Sequence, residues 1–147
     1  MAAQSRATTV PAVLLLNADV LAAAIGWAYD GLPYEACGLL GGDPRSGQVS
    51  LFYPCTNTAR SSRIYSVDPK DHLQADRDAE GRGLEVIGVL HSHTHTDAYP
   101  SPIDVAQAPD PSWHYVIVSL RDDAPVLRSY RIVDGRISEE SVGQLRQ

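Results

Sequence analysis

The sequence predicts an α/β (α+β) fold in which a mixed, curved β-sheet is flanked by helices. Two observations support this class. Apolar segments of strand length are interspersed with segments of helical periodicity, but without the regular strand–helix–strand alternation that builds a purely parallel sheet. The chain has 147 residues, of which 44% are hydrophobic and 20% charged, as in an ordinary globular protein. We therefore expect one domain over residues 11–147, preceded by a polar, flexible segment at residues 1–10.

The first elements are a strand and a helix. The apolar run AVLLL at 12–16 is typical of a short strand, and Asn17 is suited to cap a helix over residues 18–29. Leu21, Ile25 and Tyr29 repeat on one face of that helix, and small alanines lie on an adjoining face. Glycine and proline in GLP then predict its end.

A hairpin and a second helix should follow. The small, apolar segment YEACGLLGG at 34–42 and VSLFYPC at 49–55 predict two strands joined by a turn, and IYSVD at 64–68 predicts a brief third strand. Asp68, followed by proline and then by a second acid, predicts the start of a helix that continues to about Gly81.

The second half of the chain predicts four strands. LEVIGVLHSH at 84–93 is apolar for most of its length and rich in branched residues, as expected of a buried strand. WHYVIVSL at 113–120, APVLRSYRIV at 124–133 and a short final strand follow, separated by polar turns.

Charge and cysteine usage restrict the classes of partner and compartment. A net charge of −6 and a pI near 5.2 argue against nucleic acid or an anionic membrane as the main partner. Asn17 and Asp19 interrupt the N-terminal apolar run, and no apolar run approaches the ~18 residues of a membrane span, so we expect a cytoplasmic protein. Cys37 and Cys55 form no CxxC motif, and we expect both to be core residues.

The segment HSHTHTDAYPSPID at 91–104 concentrates the chemistry of the chain. Residues at i and i+2 of a strand share a face, so His91 and His93 can bind one metal ion, and Asp104 is placed to be a third ligand after the chain returns. Two other interpretations stay open: a solvated histidine loop without metal, and a capping box in which Ser101 and Asp104 only start a helix.

Other metal-binding families fit this segment poorly. A metallo-β-lactamase pattern needs an acid and a histidine at 95 and 96, where the chain has histidine and threonine, and a cupin needs a glutamate soon after HxH. An amidohydrolase barrel needs more than about 200 residues.

The spacing HSH, seven residues, Ser101, two residues, Asp104 resembles the JAMM (MPN+) metalloprotease signature. That family also has an upstream glutamate before a small apolar strand, which Glu35 in YEACGLLGG matches. The resemblance covers roughly residues 12–135 and is greatest to small bacterial, Mec-type members, through RIYSVDPKDHL, DAYPSPIDV and HYVIVSL.

The resemblance implies a cytidine-deaminase-like architecture and a zinc peptidase. It implies that His91, His93 and Asp104 hold zinc, that Glu35 is the general base, and that Ser101 helps to stabilise the oxyanion. The Mec-type members remove an amino acid, cysteine in the best-known case, from the C-terminus of a ubiquitin-like sulfur-carrier protein. The same substrate is therefore expected here, while the oligomeric state, a homodimer included, stays open.

Two features depart from the signature or lie outside it. Thr94 replaces the usual proline after HxH, and the extra His95 would share the ligand face if the strand stayed extended, although we expect it in a loop or facing substrate. His72 and His114 are expected to be structural or surface residues. The rival hypotheses are a non-catalytic MPN-type scaffold that binds a ubiquitin-like protein, and a metal-binding module that would have no need of Glu35.

Overall fold

The computed structural model describes residues 13–145, and the predicted flexible segment at 1–10 lies outside them. Within these residues seven strands and three helices follow one another. In order they are β1 (Val13–Leu16), α1 (Ala18–Asp30), β2 (Cys37–Asp43), β3 (Gln48–Cys55), α2 (Pro69–Gly81), β4 (Glu85–His93), α3 (Pro102–Ala106), β5 (His114–Ser119), β6 (Val126–Val133) and β7 (Arg136–Gln144).

The strands form one mixed sheet that closes into a barrel in the order β1-β3-β2-β4-β5-β6-β7. β2 is antiparallel to β3 and to β4, β4 is parallel to β5, and β5, β6 and β7 form an antiparallel meander. β1 is parallel to both β3 and β7 and closes the barrel. The predicted mixed, curved sheet is confirmed. Within residues 13–145 it curves so far that its first and last strands pair and close the barrel.

Helix α1 packs on the barrel through its smallest residues. Asn17 caps it, with Oδ1 accepting a hydrogen bond of 2.7 Å from the Val20 amide. Its buried face contains Val20, Ala24 and Ala28, whereas Tyr29, which was predicted on the apolar face, is exposed. The short alanine side chains let the helix approach the sheet closely, and Leu21 and Ile25 of the predicted apolar face pack, partly buried, against the same core cluster.

Two elements differ from the sequence-based prediction. Residues 64–68 form no strand, only an isolated bridge between Val67 and Asn57. The reason is that the Asn57 amide takes the place of a strand partner, donating to the carbonyl of Ile64 and accepting from the amide of Ser66. The final strand, β7, is not short: it has nine residues and pairs with both β6 and β1.

Helix α2 covers the opposite face of the sheet from α1. Asp68 caps it as predicted, with Oδ1 accepting a hydrogen bond of 2.9 Å from the Lys70 amide. Ala75 and Ala79 form the buried face of the helix. None of the helices within residues 13–145 has the length and apolar character needed to cross a bilayer.

Alternation along β4 divides the core into two clusters. Leu90 belongs to the cluster that contains the buried face of α1, and Val89 belongs to the cluster beneath α2. By the same alternation His91 and His93 lie on the Val89 side, and Ser92 lies on the other. Cys37 and Cys55 are free, buried members of the α2-side cluster, in agreement with the prediction.

Candidate metal centre

The carboxyl end of β4 and the first turn of α3 bring three ligand atoms together. His91 Nε2 lies 3.1 Å from His93 Nε2, and Asp104 Oδ2 lies 3.2 Å and 3.1 Å from these two nitrogens. All three residues are buried, and they form a group that could hold a metal ion. The structure therefore assembles the predicted ligand set from two elements that are separated by the loop at residues 94–101.

The start of α3 combines the two interpretations of Ser101 and Asp104. Ser101 Oγ accepts a hydrogen bond from the Asp104 amide at 3.1 Å, and the Ser101 amide donates to Asp104 Oδ2 at 2.9 Å. This is a complete capping box. Because the same Oδ2 also faces both histidines, the cap orients the carboxylate towards them, and the capping role is compatible with metal binding.

Neighbouring groups hold each imidazole in place. His93 Nδ1 lies 2.7 Å from the carbonyl oxygen of Asp97, which can only accept a hydrogen bond, so Nδ1 carries the proton. In the neutral ring this leaves Nε2 with a free lone pair pointing at Asp104. The His91 ring stacks on Tyr65, with ring centroids 4.2 Å apart and planes inclined by 20°. Such outer contacts are what fix ligand orientation in metal sites.

The donor set fits a tetrahedral metal such as zinc. Zinc–nitrogen and zinc–oxygen bonds of about 2.0–2.1 Å imply ligand–ligand separations of about 3.3–3.4 Å in a tetrahedron. The separations of 3.1 and 3.2 Å are close to this. Moreover, the lone pair of His93 and the Asp104 carboxylate are both acceptors, so a positive charge between them removes a repulsion. Two imidazoles and one carboxylate leave a fourth position open, as catalytic zinc sites do.

The charges within the cluster keep Asp104 ionised and His91 neutral, and they favour a proton on His93, which a bound metal ion would replace. Burial alone would raise the pKa of Asp104, but hydrogen bonds with His91 and His93 outweigh it and hold that pKa far below its usual range. Burial lowers the pKa of His91 despite its contact with Asp104. Burial also opposes the charged form of His93, but its hydrogen bonds with Asp104 and the Asp97 carbonyl raise its pKa. The carboxylate therefore stays ionised over the whole physiological range.

Glu35 lies beside the cluster, just before β2. Its amide donates to the carbonyl of Ser61 at 2.8 Å, and its carbonyl accepts from Asn57 Nδ2 at 2.9 Å. Across β2 and β4, the Ala36 amide donates to Ser92 Oγ at 2.8 Å, and Cys37 pairs with His91. These contacts fix the Glu35 backbone at the level of the histidines.

The Glu35 side chain is an orphaned acid. It is 4% exposed, and its Oε1 has no hydrogen-bond partner among the described residues. Burial raises the pKa of Glu35 to about 8, an effect that His93 partly offsets and Asp104 reinforces. A buried carboxyl group whose pKa lies near neutrality can both accept and release a proton, as a general acid–base catalyst must.

The remaining histidines lie outside the cluster. β4 ends at His93, so His95 is in the following loop, where it is exposed and its Nδ1 lies 2.7 Å from Thr94 Oγ1. His114 is buried and hydrogen-bonded to Glu140 at 2.6 Å, and His72 is a half-exposed residue of α2 near Asp76. The expectation that His95 faces a loop, and that the other two are structural or surface residues, agrees with this placement.

Sequence reasoning missed four residues that support the site. Asn57, Tyr65, Ser92 and Asp97 position Glu35 or the histidines, through the contacts given above. The position of Ser92 could have been predicted, because a residue between His91 and His93 on a strand must face the opposite side of the sheet. The stacking of Tyr65 could not have been predicted, because it depends on how the loop between β3 and α2 returns over the sheet.

Comparisons with known proteins agree with this geometry. A family model described as prokaryotic homologs of the JAB domain matches residues 17–133. A protein of Mycobacterium tuberculosis named CysO-cysteine peptidase is 42% identical over 136 residues, which is 92% of this chain and 93% of the relative. A protein of Haloferax volcanii named desampylase is 32% identical over 111 residues, covering 72% of this chain and 80% of the relative.

Solved structures agree as well. A solution structure of a protein from Desulfitobacterium hafniense superposes with a TM-score of 0.84 at 34% identity, covering 91% of this chain and 94% of that one. The crystal structure of a JAB1/MPN domain protein from Archaeoglobus fulgidus superposes with a TM-score of 0.57 at 19% identity, covering 88% of this chain and 99% of that one. The second likeness concerns the fold alone.

Proposed function

The chain belongs to the prokaryotic homologues of the JAB domain, and from this premise we propose that it is a zinc-dependent peptidase acting on a ubiquitin-like sulfur-carrier protein. It hydrolyses the amide between the C-terminus of the carrier and an attached amino acid, which we propose to be cysteine. The observation that carries the proposal is the convergence of His91, His93 and Asp104 beside the buried acid Glu35. The family predicted from the HSH, Ser101 and Asp104 spacing is confirmed, and with it the class of hydrolase.

The metal ligands would be His91, His93 and Asp104. Zinc bound to such a set lowers the pKa of a coordinated water to about 7 and polarises a carbonyl group. The protein contributes a fixed triangle of donors, because the capping box holds Asp104 and the Asp97 carbonyl holds His93. The open side of that triangle is where the scissile carbonyl would lie.

Glu35 is proposed as the general base and then as the general acid. Its carboxylate accepts a proton from the attacking water and delivers it to the leaving amine. Burial raises the pKa of Glu35 in the metal-free protein, which makes its carboxylate a better base than an exposed glutamate. A bound cation would lower that pKa again and keep the carboxylate ionised for the first step. Two hydrogen bonds, from the Glu35 amide to the Ser61 carbonyl and from Asn57 Nδ2 to the Glu35 carbonyl, fix the backbone from which the side chain extends.

Ser101 is proposed as a donor to the oxyanion. Its Oγ accepts a hydrogen bond from the Asp104 amide, and within residues 13–145 the hydroxyl group donates no hydrogen bond of its own. That proton can therefore be donated to the oxygen that becomes negative as the tetrahedral species forms.

The substrate class follows from the relatives. One is named for a peptidase activity on CysO-cysteine and the other is named desampylase, and the first is closer in identity and coverage. Within residues 13–145 the longest connection between elements is residues 56–68, which leaves little room for an inserted substrate-binding segment and suits a substrate whose flexible tail reaches the site. Cysteine is accordingly the first leaving group to test.

Mass spectrometry of a carrier–cysteine adduct tests the proposal. Zinc-loaded protein should release free cysteine and leave the carrier shortened by one residue, whereas Glu35→Gln should retain zinc and release nothing. A non-catalytic scaffold would bind the carrier without shortening it, and a metal-binding module would do neither. An intact adduct after prolonged incubation would contradict the proposal.

A further inference from the structure

The loop between β3 and α2 spans the site from the catalytic glutamate to the segment after the histidines. The Ser61 carbonyl accepts the Glu35 amide at 2.8 Å, and the next carbonyl, that of Ser62, accepts from Thr94 Oγ1 at 3.3 Å. Arg63 follows directly, and its own amide donates to Ser61 Oγ at 3.0 Å. The backbone of Arg63 is therefore fixed between the proposed base and the loop that follows the metal ligands.

Arg63 lines a cavity of about 680 Å³ that adjoins the metal centre. Ser62 and Arg63 form one side, His95 and Thr96 the other, and the start of α3 at residues 101–103 completes it. The wall formed by α3 contacts the ligand set directly, because the Ser101 amide donates to Asp104 Oδ2. Ser101, the proposed donor to the oxyanion, lines the cavity, so a group bound there would lie beside the reacting carbonyl group.

The charge at this cavity contrasts with the rest of the molecule. The chain carries a net charge of −6, but the loop TNTARSSRIYSV at 56–67 contains two arginines and no acid. Arg82, Arg121 and Arg128 are paired with carboxylates, whereas the Arg63 side chain forms no ion pair within residues 13–145. An exposed, unpaired guanidinium at the entrance of an active-site cavity is available to bind an anion.

We propose that Arg63 binds the free α-carboxylate of the leaving amino acid in this cavity, with His95 on the facing wall. The inference rests on the function proposed above and specifies its substrate class. An amino acid attached through its amine has a carboxylate one carbon atom from the scissile nitrogen, so both can be held at once. A lysine side chain in an isopeptide bond has no carboxylate there. Arg63 therefore selects C-terminal amino acid adducts over isopeptide-linked ones.

Thr94 fixes the orientation of His95 on the facing wall of the cavity. The Thr94 hydroxyl donates to Ser62, so the short contact with His95 Nδ1 at 2.7 Å is a donation from the ring to Oγ1. Thr94 thus connects the two walls of the cavity, and the ring edge carrying Nε2 is left unpaired in the described structure. The extra histidine of HSHTH therefore lines the cavity and lies outside the ligand set.

The test gives the zinc-loaded protein two substrates, a carrier ending in cysteine and the same carrier ending in cysteinamide. Wild type should hydrolyse the acid with the lower KM. Arg63→Ala should raise KM for the acid by roughly 10- to 100-fold, the loss typical of a charge-assisted contact, with little change in kcat. KM for the amide should not change. Arg63→Lys should recover part of the effect, because lysine keeps the charge without the planar fork.

Two further arginine variants serve as matched controls. Arg45→Ala removes the same charge from the β2–β3 turn, at the far end of β2 from Glu35, and should match wild type. Arg60→Ala removes the other arginine of the loop, which lines a second cavity together with Glu35 and with Trp27 of α1. A KM increase specific to the acid in Arg60→Ala but not in Arg63→Ala would overturn the assignment.

The outcomes separate this inference from the proposed function. Equal losses on acid and amide in Arg63→Ala, or no preference of wild type for the acid, overturn the inference and leave the peptidase intact. Release from neither substrate by wild type overturns both. Unchanged zinc content and circular dichroism of Arg63→Ala exclude misfolding as the cause of a loss.

Discussion

Replacing Glu35 by glutamine should change how the stability of the metal-free protein depends on pH. Burial raises the pKa of Glu35 in the folded state from 4.5 to about 8. Since the folded-state pKa is higher than that of the unfolded chain, the folded protein binds a proton more tightly. The contribution of Glu35 to the free energy of unfolding is therefore fully present below pH 4.5 and is lost as the pH rises through about 8. Glutamine has the same shape and cannot ionise, so the variant lacks this loss.

The magnitude follows from the same pKa. At about 1.4 kcal/mol per pH unit, the rise from 4.5 to about 8 corresponds to at most about 5 kcal/mol. Side-chain relaxation and water entry reduce it, so we expect Glu35→Gln to exceed wild type by about 2–4 kcal/mol at pH 9. Near pH 4.5 the two proteins should differ by less than about 1 kcal/mol, since both are neutral at this position.

Urea denaturation followed by circular dichroism measures this difference. Chelator-treated wild type and Glu35→Gln would be unfolded at pH 4.5, 7 and 9, and the difference between them isolates position 35 from all other titrations. With zinc bound the difference at pH 9 should shrink, because a nearby dication favours the ionised carboxylate. A difference that stays constant from pH 4.5 to 9 would refute a buried, orphaned Glu35.

Three further substitutions test the ligands and their supports. Asp104→Ala removes one proposed ligand and half of the capping box. Elemental analysis should therefore find a zinc content lower by about tenfold or more. A wild-type zinc content would remove Asp104 from the ligand set. Ser101→Ala should cost about 1 kcal/mol of stability through the lost cap and lower kcat by about 10²-fold if its hydroxyl supports the oxyanion; a change in stability alone would restrict Ser101 to capping. Asn57→Ala should destabilise the protein by about 2–3 kcal/mol, because the amide holds Glu35, Ile64 and Ser66 together, and it should lower kcat without loss of zinc; unchanged kinetics would separate this loop from Glu35.

The local part of the site could be predicted from the sequence. His91 and His93 share a face because of strand alternation, and Ser101 and Asp104 form a capping box by their spacing along one turn. Both facts depend on neighbours in the chain, and both agree with the structure. The position of Glu35 could not be derived in this way, since 56 residues separate it from His91 and only the resemblance to a family connected them.

The remaining differences come from contacts between distant segments. Residues 64–68 have the composition of a strand, but the Asn57 side chain occupies their backbone groups, and Tyr65 contacts His91 instead. β7 is long because it is paired on both sides, although its sequence RISEESVGQ is mostly polar. Closure of the barrel depends on the parallel pairing of β1 with β7, the first and last strands, which no local pattern indicates.

The central claim is that His91, His93 and Asp104 hold the metal while Glu35 moves the proton. Its most direct test is the zinc content and the cysteine release of wild type and Glu35→Gln, measured on the same preparations with a carrier–cysteine adduct. The account predicts equal zinc content in the two proteins and cysteine release by wild type alone. Normal release by Glu35→Gln, or wild type that is active without any bound metal, would contradict it.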